Sequence, residues 1–265
     1  MRRIGFLGAG KMAQALAGAL IRGGAAEAGE IWCSDPAAQT LQTAASDLGL
    51  RIARDNQEVL QRCDLVFLAF KPQNFPGALE GLAGMVEPRH LFISILAGVR
   101  IAKLREKLPG KIVRVMPNTC CLVAEMAAGF TPGAGVTVQE LEEVKTLLGC
   151  AGVAVQVAEE QLDAVTGLSG SGPAFVAYLI EHFIKAGVAA GLPAEVARTL
   201  ALQTFIGTGR LLAQGNMPPE ELIKMVSSPN GTTVAGRGVL ESSDVGSIIE
   251  KTILRAAERS RELGR

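Results

Sequence analysis

The feature that most constrains this chain is Gly8-Ala9-Gly10-Lys11-Met12-Ala13. It follows the apolar stretch Arg3-Ile4-Gly5-Phe6-Leu7 and opens an Ala- and Leu-rich helix over Met12 to Arg22. A strand, a glycine turn and a helix in immediate succession predict the first βα unit of a dinucleotide-binding sheet. The first glycine permits the tight turn, the second lets a pyrophosphate approach the backbone, and the small Ala13 lets helix and strand pack closely. The free N–H groups and the dipole at the helix start favour a diphosphate. A glycine-rich turn can also serve packing alone, so the reading depends on what surrounds it.

The surroundings alternate. Ile31-Trp32-Cys33 reads as a second strand and Ala37 to Leu48 as a second helix. Leu65 to Phe70 and Leu91 to Leu96 are continuous apolar runs of strand length, suited to parallel strands covered on both faces. Ile112 to Met116 follows a helix ending near Leu108, and Thr137-x-x-Glu140 is a capping box opening another. Strands separated by helix-length segments predict βαβ units with right-handed crossovers. After Val157 strand signals stop. One long helix is expected from Pro173 to Ala190, ended by Gly191, and a second from Pro193 to Ala213. Pro218-Pro219 opens a short helix, and Ser243 to Leu263 is amphipathic. The expectation is a Rossmann-type, doubly wound, mostly parallel sheet over residues 1–158, then an all-α domain over 159–265.

Composition narrows the function. Lys plus Arg and Asp plus Glu number 26 each, so the chain has no net charge, which argues against a nucleic-acid or polybasic membrane role. With 20% charged and 48% apolar residues, disorder is excluded. No apolar run reaches the ~18 to 20 residues of a membrane span. The best candidate, Phe175 to Leu192, is broken by Glu181, His182 and Lys185, and Lys11 cuts short the apolar start that would suit a secretory leader. The five cysteines form no CxxC pair, which suits buried thiols in a reducing cytoplasm. There are two histidines and no HExxH, Cys/His cluster or GxSxG, so no metal centre and no elbow serine is expected.

Candidate site residues lie at strand ends and helix starts. Ser34-Asp35-Pro36 ends the second strand, where an acid accepts ribose hydroxyls and repels a 2′-phosphate. Asp35 stands one place beyond Ser34, and no Arg or Lys lies nearby in sequence before Arg51, so no strong phosphate clamp is expected and NADH and NADPH both stay open. Lys71-Pro72-Gln73 and Ala97-Gly98 end the next two strands, on the crevice side of a doubly wound sheet, with Arg114, Asn118 and Thr119 weaker candidates further on. Two Gly-rich helix starts follow. Ser169-Gly170-Ser171-Gly172-Pro173-Ala174 allows close approach to a backbone or to a nicotinamide, or simply caps its helix. Ser227-Ser228-Pro229-Asn230-Gly231-Thr232-Thr233 offers N–H and hydroxyl donors to a small carboxylate, or again serves as a cap.

Five motifs together resemble those of the pyrroline-5-carboxylate reductase family, which makes proline. They are Gly8-Ala9-Gly10-Lys11-Met12, Phe70-Lys71-Pro72-Gln73, Met116-Pro117-Asn118-Thr119, Ser169 to Ala174 and Ser228 to Thr233, in this order and spread over nearly the whole chain. The resemblance implies a helical domain that interlocks with a second subunit, in a homodimer that often assembles into a decamer. It implies NADPH or NADH at Gly8, Gly10, Lys11, Met12, Ala13, Ser34, Asn56, Ala69, Phe70, Lys71, Pro72 and Ala97. It places the substrate carboxylate on Ser228, Gly231, Thr232 and Thr233, with Thr233 as the catalytic hydroxyl at the ring nitrogen and Glu159 and Ser171 as further contacts. Two departures stand out: Cys120-Cys121 follows Thr119 where the family often has Pro, and Asn230 replaces the commoner Gly. Two alternatives differ in chemistry. A β-hydroxyacid dehydrogenase would need a helical-domain lysine, here Lys185, and a non-catalytic sensor would bind the dinucleotide without turnover.

Overall fold

A computed structural model describes residues 2–264. The chain packs as two compact units, Met1–Ser171 with Leu254–Arg265, and Gly172–Ile253. The first is built on one eight-stranded sheet. Its strands are β1 (Ile4–Leu7), β2 (Trp32–Ser34), β3 (Arg51–Ile52), β4 (Leu65–Leu68), β5 (Leu91–Ser94), β6 (Lys111–Met116), β7 (Met126–Pro132) and β8 (Gly152–Gln156). Their spatial order is β3-β2-β1-β4-β5-β6-β7-β8, all neighbours parallel except β6 and β7. Helices α1 (Lys11–Arg22), α2 (Ala38–Leu48), α3 (Asn56–Arg62), α4 (Phe75–Ala78), α5 (Ile101–Arg105), α6 (Val138–Gly149) and α7 (Leu162–Val165) complete this unit, with a π turn over Thr166–Gly170. The order reverses between β1 and β4, which opens a crevice at their carboxyl ends.

The continuous apolar runs have a physical cause. Ile4, Phe6, Leu65, Phe67, Leu91 and Ile93 pack into one cluster with α1, while the alternate residues Leu7, Val66, Leu68 and Phe92 join a second cluster with α3 and Phe75. Helices therefore cover both faces, and no position on these strands meets water. Phe6 and Phe67 lie fully buried with parallel rings 4.6 Å apart. At about 1.5 to 3 kcal/mol for each large side chain fully buried, these strands carry much of the unit's stability.

Several expectations are met closely, including α1, α2, β1 and β5. The capping box forms, with Glu140 N–H donating to Thr137 Oγ1 at 3.2 Å and Thr137 N–H to Glu140 Oε2 at 3.0 Å. Three strands have no counterpart in the sequence reading. β3 is a two-residue edge strand, and β7 and β8 are Ala- and Gly-rich strands without alternation, with β8 at the other edge. The apolar run Leu65 to Phe70 also ends as a strand at Leu68, because Ala69 to Pro72 turn away along the crevice.

Packing places residues 159–171 with the sheet rather than beyond the expected boundary at 158. Leu162 is fully buried, a side chain at Gly129 of β7 would meet Val165 at 2.7 Å, and buried Asp163 accepts a hydrogen bond from Ser260 at 2.6 Å. This segment packs against Gly129 of β7, and β7 was not legible.

The second unit contains α8 (Gly172–Ala189), α9 (Ala194–Gln214), α10 (Pro219–Met225), α11 (Thr232–Glu241) and the start of α12 (Val245–Leu263). Gly191 ends the α8 segment with φ +102, as its position predicted. Phe183 and Phe205 join α8 to α9 edge-on at 5.0 Å. No residue of α8, α10 or α11 is buried. No helix among the described residues is long and apolar enough to cross a membrane.

Candidate active site

The crevice begins at the glycine turn. Gly8 has φ +96, and a Cβ there would stand 2.8 Å from the Ala69 and Phe70 backbone, so the turn after β1 can lie against the end of β4 only without a side chain. Gly8 N–H donates to Ser34 O at 2.8 Å, which ties the turn to β2. Gly10 has open space where its Cβ would be, and α1 starts there with no side-chain cap. Its first N–H groups therefore face that space, as a diphosphate requires. Ala13 is buried in the core beneath them. Asp35 completes the support: Oδ2 accepts from Ala9 N–H and Oδ1 from Ala37 N–H, both at 2.9 Å. The carboxylate thus fastens the glycine turn, a different role from the ribose contact that a strand-end acid suggests.

Two hollows open along this crevice, and Phe70 lines both. The first, about 620 Å³, is lined by Gly8, Ser34, Asn56 and Phe70, and by Arg54, Gln73, Asn74 and Ala78 on the outer wall. Ser34 Oγ donates to Asn56 Oδ1 at 2.6 Å, and Asn56 Nδ2 donates to Ala78 O at 2.7 Å. The second, about 550 Å³, is lined by Gly10, Lys11, Met12, Ala69, Phe70, Lys71, Pro72 and Ala97, with Ile95, Met116 and Pro117. Apart from buried Ala13, every residue expected at the cofactor lines one of the two hollows. Their sizes and contiguity fit an extended dinucleotide with its diphosphate at Gly10. Arg54 also lines the first hollow, where no basic residue was expected from the sequence. It follows the two-residue strand β3, which has no sequence signature, so its place on the wall could not be read.

The weaker candidates are committed elsewhere. Arg114 is buried and pairs with Glu159 at 3.2 Å, and the same Glu159 Oε1 accepts from Ile101 N–H at 2.7 Å. Asn118 donates to Ser169 O at 3.0 Å and accepts from Ala127 N–H at 3.2 Å, bracing the π turn against β7. Met116 Cε lies against Gly170 in that turn, 2.6 Å from where a Cβ would stand, so any side chain there would have to displace the methionine's end. Ser171 follows the turn and lines a smaller hollow of about 230 Å³ with Ala97, Gly98, Thr166 and Arg259.

In the helical unit, Ser228, Gly231, Thr232 and Thr233 gather at the start of α11. Asn230 adopts φ +60, which a short polar side chain tolerates, and Gly231 N–H donates to Ser228 O at 3.0 Å. Gly231 precedes the helix without a side-chain cap, so the first N–H groups of α11 and the Thr232 and Thr233 hydroxyls are open donors. Lys185 is exposed on α8 and paired to Glu181 at 2.6 Å. Neither histidine is free. Buried His90 accepts from Glu87 N–H at 2.8 Å and lies 3.0 Å from Leu60 O, and burial lowers its pKa so that the ring stays neutral. His182 Nδ1 meets Tyr178 O at 2.9 Å. Burial pushes the thiols of Cys33, Cys63 and Cys121 up to about 11, 12 and 11, so they are inert at neutral pH.

A doubly wound sheet with an open, diphosphate-sized helix start at its switch point defines a dinucleotide-binding oxidoreductase domain. Residues 3–98 match the family model "NADP oxidoreductase coenzyme F420-dependent", and residues 159–263 match "Pyrroline-5-carboxylate reductase dimerisation". The pyrroline-5-carboxylate reductase of Methanosarcina acetivorans is 39% identical, covering 100% of this chain and 98% of its own. That of Pseudomonas aeruginosa is 36% identical over 98% of this chain and 96% of its own. The solved structure of the Coxiella burnetii enzyme superposes with a TM-score of 0.94 at 29% identity, covering 100% of this chain and 99% of that one. The Plasmodium falciparum enzyme, solved with NADP bound, gives a TM-score of 0.87 at 29% identity, over 100% and 98% of the two chains. The chain belongs to the pyrroline-5-carboxylate reductase family. Neither the β-hydroxyacid dehydrogenase nor the sensor reading gains support from these comparisons.

Proposed function

We propose that this protein reduces the cyclic imine 1-pyrroline-5-carboxylate to L-proline with NADPH or NADH. The observation that carries the reading is the preformed crevice, whose open helix start, strand-end loops and Phe70 join two hollows of dinucleotide size in a chain of this family. When bound, the reduced nicotinamide supplies the hydride. Lys11, Met12, Ala69 to Pro72 and Ala97 would hold its reactive half, and Ser34 and Asn56 the adenosine half. The uncapped start of α11 would take the substrate carboxylate through Ser228, Gly231 and Thr232, and the Thr233 hydroxyl would orient the ring nitrogen. Glu159 and Ser171 would be second-line contacts of the substrate. A protonated imine is already electrophilic, so the protein needs to position it and exclude water more than to supply a strong acid. Two histidines that are both bonded elsewhere are consistent with that economy.

The same reading accounts for the exposed helices. Val176, Tyr178, Phe183 and Leu200 leave more apolar surface than one copy covers, and a second copy would bury it. The match to a dimerisation model from residue 159 supports a functional boundary at 158/159. We assign a homodimer that assembles further into a decamer, and, from five unpaired thiols, a cytoplasmic protein. The test is a steady-state assay with 1-pyrroline-5-carboxylate and each cofactor in parallel, on the native chain and Thr233→Ala. The expected result is imine-dependent oxidation of the cofactor that falls about 10- to 100-fold in kcat in the variant, with cofactor affinity within about 2-fold. Equal losses of turnover and cofactor affinity would make Thr233 structural, and no imine-dependent oxidation at all would remove the proposed activity.

A further inference from the structure

The first hollow carries a device that the family assignment does not supply. Its described lining includes a single cation, Arg54, between β3 and α3. Glu58, in the first turn of α3, accepts from Arg54 N–H at 2.9 Å and from Arg54 Nε at 3.1 Å through Oε2. Its other oxygen accepts from Arg62 Nε at 2.9 Å, and Arg62 lies over the Trp32 ring at 4.3 Å. The root of the Arg54 guanidinium is thereby fixed, while both Nη groups make no hydrogen bond to a described residue. The two acids that share the hollow are already bonded: Asp35 by the Ala9 and Ala37 N–H groups, and Asp55 by Glu58 N–H at 2.8 Å. A free pair of guanidinium donors beside the adenosine residues Ser34 and Asn56 matches a phosphate monoester, for which arginine has the right fork.

We infer that Arg54 selects the 2′-phosphorylated dinucleotide over its unphosphorylated counterpart, and that Glu58 is the residue that positions it. The inference rests on the placement of the adenosine half proposed above. The nicotinamide fluorescence of NADPH and NADH, titrated separately at low and high salt, tests it with native chain, Arg54→Ala, Arg54→Lys and Glu58→Gln. Arg54→Ala should raise the NADPH Kd about 10-fold or more and leave the NADH Kd within about 2-fold. Arg54→Lys should fall between, since the charge stays and the fork is lost. The NADPH-specific effect should shrink at high salt, because Arg54 is exposed at the crevice mouth. Glu58→Gln should weaken NADPH about 3-fold and leave NADH unmoved. Trp32 emission, which reports the Arg62 contact, checks that the wall is intact, and Arg54→Lys carries the comparison if Arg54→Ala disturbs it. Equal weakening of both cofactors, or an NADPH Kd indifferent to Arg54, overturns the inference. These affinities are read without imine, so a failed reductase assay leaves them standing, whereas a native chain that binds neither cofactor overturns both proposals.

Discussion

In the sheet unit, Phe6 and Phe67 stack in full burial, and the helices around them leave no gap. In the helical unit, Phe183 meets Phe205 edge-on at 5.0 Å but stays 55% exposed. The same residue type therefore does two jobs. Between β1 and β4 it closes a core that one chain completes. On α8 it waits for a surface that the chain by itself does not supply. The cofactor crevice follows the first pattern, with Gly8, Asp35 and Ala9 already bonded into place. The apolar helices follow the second. Cofactor binding should accordingly be a property of the sheet unit alone, and turnover a property of the assembly.

Substitutions can break that contrast in order of effect. Leu200→Asp, at a position 54% exposed on α9, should abolish most imine reduction and yield a monomer by sedimentation, with cofactor affinity kept within about 2-fold. A monomer that turns over normally would erase the contrast. Phe67→Ala should cost about 3 to 5 kcal/mol in a denaturant melt, whereas Phe183→Ala should cost the isolated chain markedly less and show its main effect in the concentration dependence of Tm. Gly8→Ala should weaken both cofactors about 10-fold or more, since the φ of +96 and the 2.8 Å approach to β4 leave no place for a methyl group. Retained binding would mean that the turn relaxes without loss.

The smallest effect is acid sensitivity. Glu140 loses some charge stability to burial, yet Lys111, the Thr137 N–H and Arg2 hold its pKa at about 2, against 4.5 for a free carboxyl. Glu58 is likewise held at about 2 by the Arg54 N–H, the Arg54 side chain and Arg62. Because both folded values lie below the unfolded ones, their contribution is complete above about pH 4.5 and is lost as pH falls toward 2. Glu140→Gln should flatten the acid limb of a stability–pH curve, and an unchanged limb would show that these pairs contribute little.

Legibility divides along the same line. Long apolar runs such as Leu65 to Leu68, and helices with caps such as Thr137-x-x-Glu140, were readable because local pattern and final burial agree. β3, β7 and β8 were not, because a two-residue edge strand and strands rich in Ala and Gly are made by their neighbours. In the candidate site, Gly8, Gly10 and Ala97 announce themselves by position after a strand. Arg54 does not, since only pairing of β3 with β2 brings it to the crevice.

By itself the sequence determined the βα order, the glycine turn, the helical second half and the family, because each rests on short motifs that can be read one at a time along the chain. Tertiary structure decided what those residues touch: that Asp35 holds the turn, that Glu159 is bonded to Arg114 and Ile101, and that Arg54 lines the first hollow. Such contacts depend on which strands become neighbours, and that is settled by packing over the whole sheet, which no local pattern encodes.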